Sequence, residues 1–98
     1  MSSSTGVFAI SVAASMVSME VQNLRVYERR GLIEPDRTPG GTRLYSRDDV
    51  ARLIRIRELL GEGLNLAGIG HVLTLEAQVE QLRTTNRRLR SQLARATT

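Results

Sequence analysis

The stretch that most limits what this chain can become is Leu24-Arg25-Val26-Tyr27-Glu28-Arg29-Arg30-Gly31-Leu32-Ile33-Glu34-Pro35, followed by Gly41-Thr42-Arg43-Leu44-Tyr45-Ser46. It reads as a short helix, a stop, a tight basic turn and a helix start. Nothing from Val21 to Arg30 breaks a helix, and Gly31 stands where a C-terminal cap belongs. At helical spacing Val21, Leu24 and Glu28 share one side, able to dock on a small core. Gln22, Arg25, Val26 and Arg29 share another, with Asn23 beside them. Pro39-Gly40-Gly41 then turns the chain between two short extended pieces flanked by Arg37 and Arg43. A basic helix beside a basic hairpin suits a winged helix-turn-helix, with one element in a groove and the other along the backbone. A solvated charged face is the plainer alternative for either element alone.

The combination L-R-x-Y-E-R-x-G-L-I-x-P-x-R with G-x-R-x-Y-S resembles the MerR family of bacterial transcription regulators. Within that family, Ile10-Ser11-Val12-Ala13-Ala14, Gly40 to Ser46 and Asn65-Leu66-Ala67-Gly68-Ile69 look like the heat-shock repressor branch, the HspR type. The resemblance covers about residues 8 to 82, and it is the set of motifs together that is specific. It implies a mainly α fold, a winged helix-turn-helix domain followed by a C-terminal dimerisation coiled-coil helix. It also implies DNA contacts from Arg25 on the second helix, and phosphate contacts from Arg43 and Tyr45 on the wing. Tyr27 and Glu28 are expected to brace the domain. The family pattern is broken at four places that bear on binding. Ser18 replaces the usual Gly of the inter-helix turn, Glu20 occupies the cap before the second helix, Asn23 stands where Thr is usual, and Val26 where an aromatic or Gln is frequent. The operator sequence therefore cannot be borrowed from the family.

At 98 residues this is one domain with an appendage. A globular part of roughly 65 residues is marginal alone, so a second subunit is expected. Net charge is +4 and every basic residue is arginine, a side chain suited to phosphate and guanine edges. There is no cysteine, which removes disulfides and thiolate metal sites, and the single His71 has no second ligand near it in sequence. No nucleophile–base pair, carboxylate pair or phosphate loop is present, so no enzyme and no cofactor is expected. Val7 to Met19 is apolar but lacks a basic lead and is interrupted by serines, and no stretch reaches the ~20 apolar residues of a membrane span. The expected location is the bacterial cytoplasm, at the nucleoid, with no membrane partner.

Taken in order, residues 1–6 are Ser/Thr/Gly-rich and expected to be disordered, and 7–73 form the DNA-binding domain. Val7 to Ile10 is expected to pair with the wing, with Phe8 as its core contribution. Ser11 is the predicted N-cap of a first helix with Val12, Ala13 and Met16 inward. Ser46 with Asp49 makes a capping box for a third helix, whose inward stripe is Val50, Leu53, Ile54, Leu59 and Leu60. Arg55 on that helix could reach phosphate or lie solvated. Gly61-Glu62-Gly63 breaks the chain before a fourth helix that carries Leu66, Ile69, Val72 and Leu73.

Residues 74–98 are expected to be a coiled-coil helix. Leu75, Val79, Leu82, Asn86, Leu89 and Leu93 recur at alternating spacings of four and three, with no Gly or Pro among them. Charges favour an antiparallel pair, with Glu76 near Arg90 of the other chain, whereas Asn86 favours a parallel one; the family resemblance implies antiparallel. The chain stops shortly after Ala96, so no small-molecule effector is expected. Together these features predict a homodimeric, sequence-specific regulator of double-stranded DNA. The heat-shock resemblance implies repression of chaperone genes with a chaperone as co-repressor, and the wider family resemblance leaves activation by untwisting a promoter spacer as the alternative. The competing prediction is a protein-binding adaptor of the chaperone-modulator type, which binds a co-chaperone; the retained Arg25, Arg37 and Arg43 argue for DNA.

Overall fold

A computed structural model describes residues 2–97 as four helices and a two-stranded sheet. The elements in order are α1 (Ile10–Met16), α2 (Val21–Arg29), β1 (Asp36–Arg37), β2 (Arg43–Leu44), α3 (Arg47–Gly61) and α4 (Leu66–Ala96). The chain divides into two compact units, Met1–Leu66 and Ala67–Thr98. The core of the first is built from Ala13, Ala14, Val17, Leu24, Tyr27, Leu32, Ile33, Tyr45, Val50, Leu53, Ile56 and Leu59.

The helices of this unit all stop by one device. After α2, Gly31 adopts φ +73°, its N–H donates to the Glu28 carbonyl and the Leu32 N–H donates back to Tyr27. After α3, Gly63 at φ +92° and Leu64 repeat the pattern onto Leu60 and Leu59. After α1 the same pair of bonds runs from Ser18 to Ser15 and from Met19 to Ala14, with Ser18 at φ +56°. This is the six-residue closing motif in which a left-handed residue lets the last carbonyls be satisfied. Two arginines of α3 finish the work: Arg57 Nη1 donates to the Val17 carbonyl at 2.6 Å, and Arg52 Nε donates to the Leu32 carbonyl. Cations at helix C-termini also complement the helix dipole.

Several expectations need correction. Residues 2–6 are held rather than free: the Gly6 N–H donates to Asp36 Oδ2 at 2.9 Å, and the Asp48 N–H donates to the Ser3 carbonyl at 3.0 Å. Met1, the rest of that segment, lies outside the described residues. Gly6 is pressed onto the wing so closely that a Cβ there would lie 2.5 Å from the Leu44 carbonyl oxygen. Phe8 and Tyr45 form an antiparallel bridge, as the wing pairing required, and Phe8 is half-buried. That bridge fixes where α1 can begin. Ala9 is its N-cap, without a side-chain cap bond, and Ser11 lies inside the helix. The inward face therefore falls on Ala13, Ala14 and Val17, leaving Val12 at 48% and Met16 at 49% exposure.

In α3 the capping box forms as expected: Asp49 N–H to Ser46 Oγ and Ser46 N–H to Asp49 Oδ2, both 2.9 Å. Its buried residues are Val50, Leu53, Ile56 and Leu59, at steps of three. Such steps wind around a helix instead of running along it, so Ile56 is buried while Ile54 and Leu60 are partly exposed. The fourth helix and the C-terminal helix are one. The expected division at 73/74 falls inside an unbroken 31-residue helix, about 46 Å long.

Candidate nucleic-acid interface

α2 buries Leu24 and Tyr27 and turns Gln22, Asn23, Arg25 and Arg29 to solvent, with Val26 half-buried between them. Beside it stands the wing. Asp36 pairs with Leu44 and Arg37 with Arg43 in antiparallel register, and Thr38 closes the turn by accepting from Gly41 and Thr42. Gly41 takes φ +87°, the left-handed conformation this turn requires of glycine.

Glu28 joins helix and wing. Its Oε2 lies 2.7 Å from Arg37 Nη2, and its Oε1 accepts from Arg43 Nε. Arg37 Nη1 donates to the Gly41 carbonyl at 2.9 Å. Burial pushes the Glu28 carboxyl up, but the hydrogen bonds and charges of Arg43 and Arg37 outweigh it and hold the group below its ordinary 4.5. The Arg43 guanidinium is correspondingly held charged by its bond to Glu28. Tyr45 lies under this cluster at 0% exposure, its hydroxyl without a hydrogen-bond partner. Burial, and then the Glu28 charge, raise its pKa, while the Arg43 and Arg25 charges act in the other direction.

The matching family model, "MerR HTH family regulatory protein", spans residues 8–76. The chain belongs to the MerR family. An HspR heat shock protein of Streptomyces coelicolor is 47% identical over 79 residues, covering 80% of this chain and 52% of that protein. The GlnR transcriptional regulator of Bacillus anthracis is 38% identical over 81 residues, covering 82% of this chain and 63% of its own. A crystal structure of a MerR-family transcriptional regulator from Bacillus cereus superposes with a TM-score of 0.65 at 29% identity, over 92% of this chain and 72% of that one. The chain thus spans about half to two thirds of the length of these curated relatives. They are transcription regulators and not enzymes. The matched span takes in α1, α2, the wing, α3 and the start of α4.

Against that family background the predicted site residues separate into three groups. Gln22, Asn23, Arg25 and Arg29 share the outer surface of α2. Arg37 and Arg43 meet at Glu28, which helical spacing put on the core side and the resemblance implied as a brace. Tyr45 is corrected: it is a core residue, because the Phe8 bridge and the turn into α3 pull its ring inward, and its hydroxyl cannot reach a phosphate from there. Glu28 is the residue whose reach was missed. Its partners lie nine and fifteen positions away, beyond any helical or strand repeat. Arg55 lies 3.8 Å from Glu58 one turn on along α3. No cluster of three or more potential metal ligands occurs among the described residues, and no helix is long and apolar enough to cross a membrane.

In α4, Leu75, Val79, Leu82, Leu89 and Leu93 are exposed, Leu82 at 68%, and Asn86 lies exposed in the same row. Glu80 and Arg87 lie 3.7 Å apart along the helix, on the polar side.

Proposed function

We propose that this chain is a homodimeric, sequence-specific repressor of the heat-shock type, acting on dyad operators in the bacterial cytoplasm. α2 enters the major groove with Gln22, Asn23, Arg25, Val26 and Arg29, and the wing lies on the backbone. The observation that carries this is the pairing of a polar, Arg-bearing α2 surface with a wing clasped to the same helix by Glu28. A groove reader and a backbone contact held at fixed separation are what a winged helix-turn-helix needs. The Leu75–Leu93 row, apolar and uncovered in one chain, supports pairing of α4 with a second copy. The identity to the heat shock protein HspR supports a heat-shock regulon; chaperone-gene promoters as targets and a chaperone as co-repressor rest on the family resemblance.

The test is selection of bound fragments from a genomic DNA pool by the purified chain. Recovery of inverted repeats upstream of chaperone genes is expected. Repeats upstream of other gene classes would instead favour a GlnR-like regulator outside the heat-shock type, which the 38% identity makes the second reading. Recovery of no DNA, with capture of a co-chaperone, would favour the adaptor.

A further inference from the structure

The two wing arginines are not equivalent in the structure. Arg37, at the surface, has both terminal nitrogens on acceptors of the protein itself, Nη2 on Glu28 and Nη1 on the Gly41 carbonyl. Arg43 is held at its inner nitrogen: Nε donates to Glu28, and among the described residues neither Nη1 nor Nη2 has a hydrogen-bond partner. A guanidinium fixed through Nε keeps its terminal N–H groups for a second acceptor, and a planar pair of such groups matches phosphate oxygens. Glu28 itself is fixed on α2, one turn beyond Arg25, so it sets the wing cation relative to the helix that reads bases.

We infer that Glu28 is a positioning residue for DNA binding, locking Arg37 as a wing clasp and aiming the terminal nitrogens of Arg43 at a backbone phosphate. The inference rests on the DNA-binding reading and deepens it, because it assigns the phosphate contact to Arg43 and withdraws it from Arg37. It also predicts an effect opposite in sign to simple electrostatics. Removing a carboxylate from a surface that meets phosphates should strengthen binding by relieving repulsion. If Glu28 orients Arg43, its removal weakens binding, because the freed side chain must then be ordered on the DNA.

The experiment is a double-substitution cycle on the full chain, read by fluorescence anisotropy on a duplex carrying the selected operator, with circular dichroism to verify folding. Glu28→Gln is expected to weaken binding roughly two- to tenfold, the penalty for ordering one long side chain on association. In the Arg43→Ala background the same Glu28→Gln change should cost markedly less, because only the Arg37 clasp then remains to be lost. A merely structural Glu28 would weaken both backgrounds equally, and that result would overturn the inference. So would a folded Glu28→Gln chain that binds as tightly as the unaltered one or tighter. Should Glu28→Gln not fold, Arg43→Lys decides: it keeps the charge but has no inner nitrogen for Glu28 to hold, and it should lose a similar two- to tenfold. Full affinity in Arg43→Lys would overturn the inference. An unaltered chain that binds no duplex at all would instead overturn the DNA-binding reading, and this inference with it.

Discussion

Ser18 is the one residue in its class that pays a conformational penalty. The equivalent position after α2 and after α3 is glycine, and only Ser18 carries a side chain at positive φ. An L-residue in that region costs roughly 1–2 kcal/mol, and the backbone bonds of the turn do not need the hydroxyl. Ser18→Gly should therefore stabilise the chain by about 1 kcal/mol, raising the melting temperature by roughly 4–8 °C. Thermal denaturation followed by circular dichroism checks it, and an unchanged or lower melting point would mean the turn is not strained. Arg57→Ala should act in the opposite direction by about 1 kcal/mol, since it strips a charged donor from the Val17 carbonyl. Among the interface residues, Arg25→Ala should cost roughly 1–3 kcal/mol on the operator and less on random DNA. Arg43→Ala should weaken both alike and lower the salt slope by about two per dimer, one for each copy. Equal loss on every sequence from Arg25→Ala would shift base reading to Gln22, Asn23 or Val26.

Elements were legible wherever their limits are set by neighbours in sequence. Gly31 ends α2 and the Ser46–Asp49 box starts α3, because both motifs close within six residues. Where a limit is set from afar, local pattern misplaced it. The Phe8–Tyr45 bridge, thirty-seven positions apart in the chain, starts α1 at Ile10 and so rotates its buried face away from Val12 and Met16. α4 runs through Gly68 and Gly70, each of which costs about 1 kcal/mol against Ala. At this scale the pairing of α4 can be tested. A chain ending after Leu73 should be monomeric by light scattering and bind DNA much more weakly, and a truncated chain that remains dimeric would move the interface elsewhere. Asn86→Leu should raise dimer stability at some cost in register, because a polar group leaves an apolar seam. The clasp between α2 and the wing has a pH signature of its own. The Glu28 carboxyl lies below 4.5 when folded, so its stabilisation is complete above that value and is lost as pH falls through the lower folded value. The melting-temperature gap between the unaltered chain and Glu28→Gln should hold steady from neutral pH down to 4.5 and close below it.

For the whole molecule, the all-arginine basicity, the family motifs and the heptad row made a winged helix-turn-helix with a helical extension readable in advance. What stayed hidden was the internal use of charge. Arg52 and Arg57 close helix ends, Arg37 clasps the wing, and each depends on a partner nine to forty positions away. The net charge of +4 therefore overstates what is free to meet DNA. Enough remains on α2, with Arg43 on the wing, for a dimer to neutralise several phosphates. The central claim, that this surface binds duplex DNA, is tested most directly by the salt dependence of binding to the selected operator. With roughly six to ten phosphate contacts per dimer, affinity should fall by ~10³ or more between about 50 and 200 mM salt. An affinity that stays flat over that range would contradict the account and leave the α2–wing surface to a protein partner.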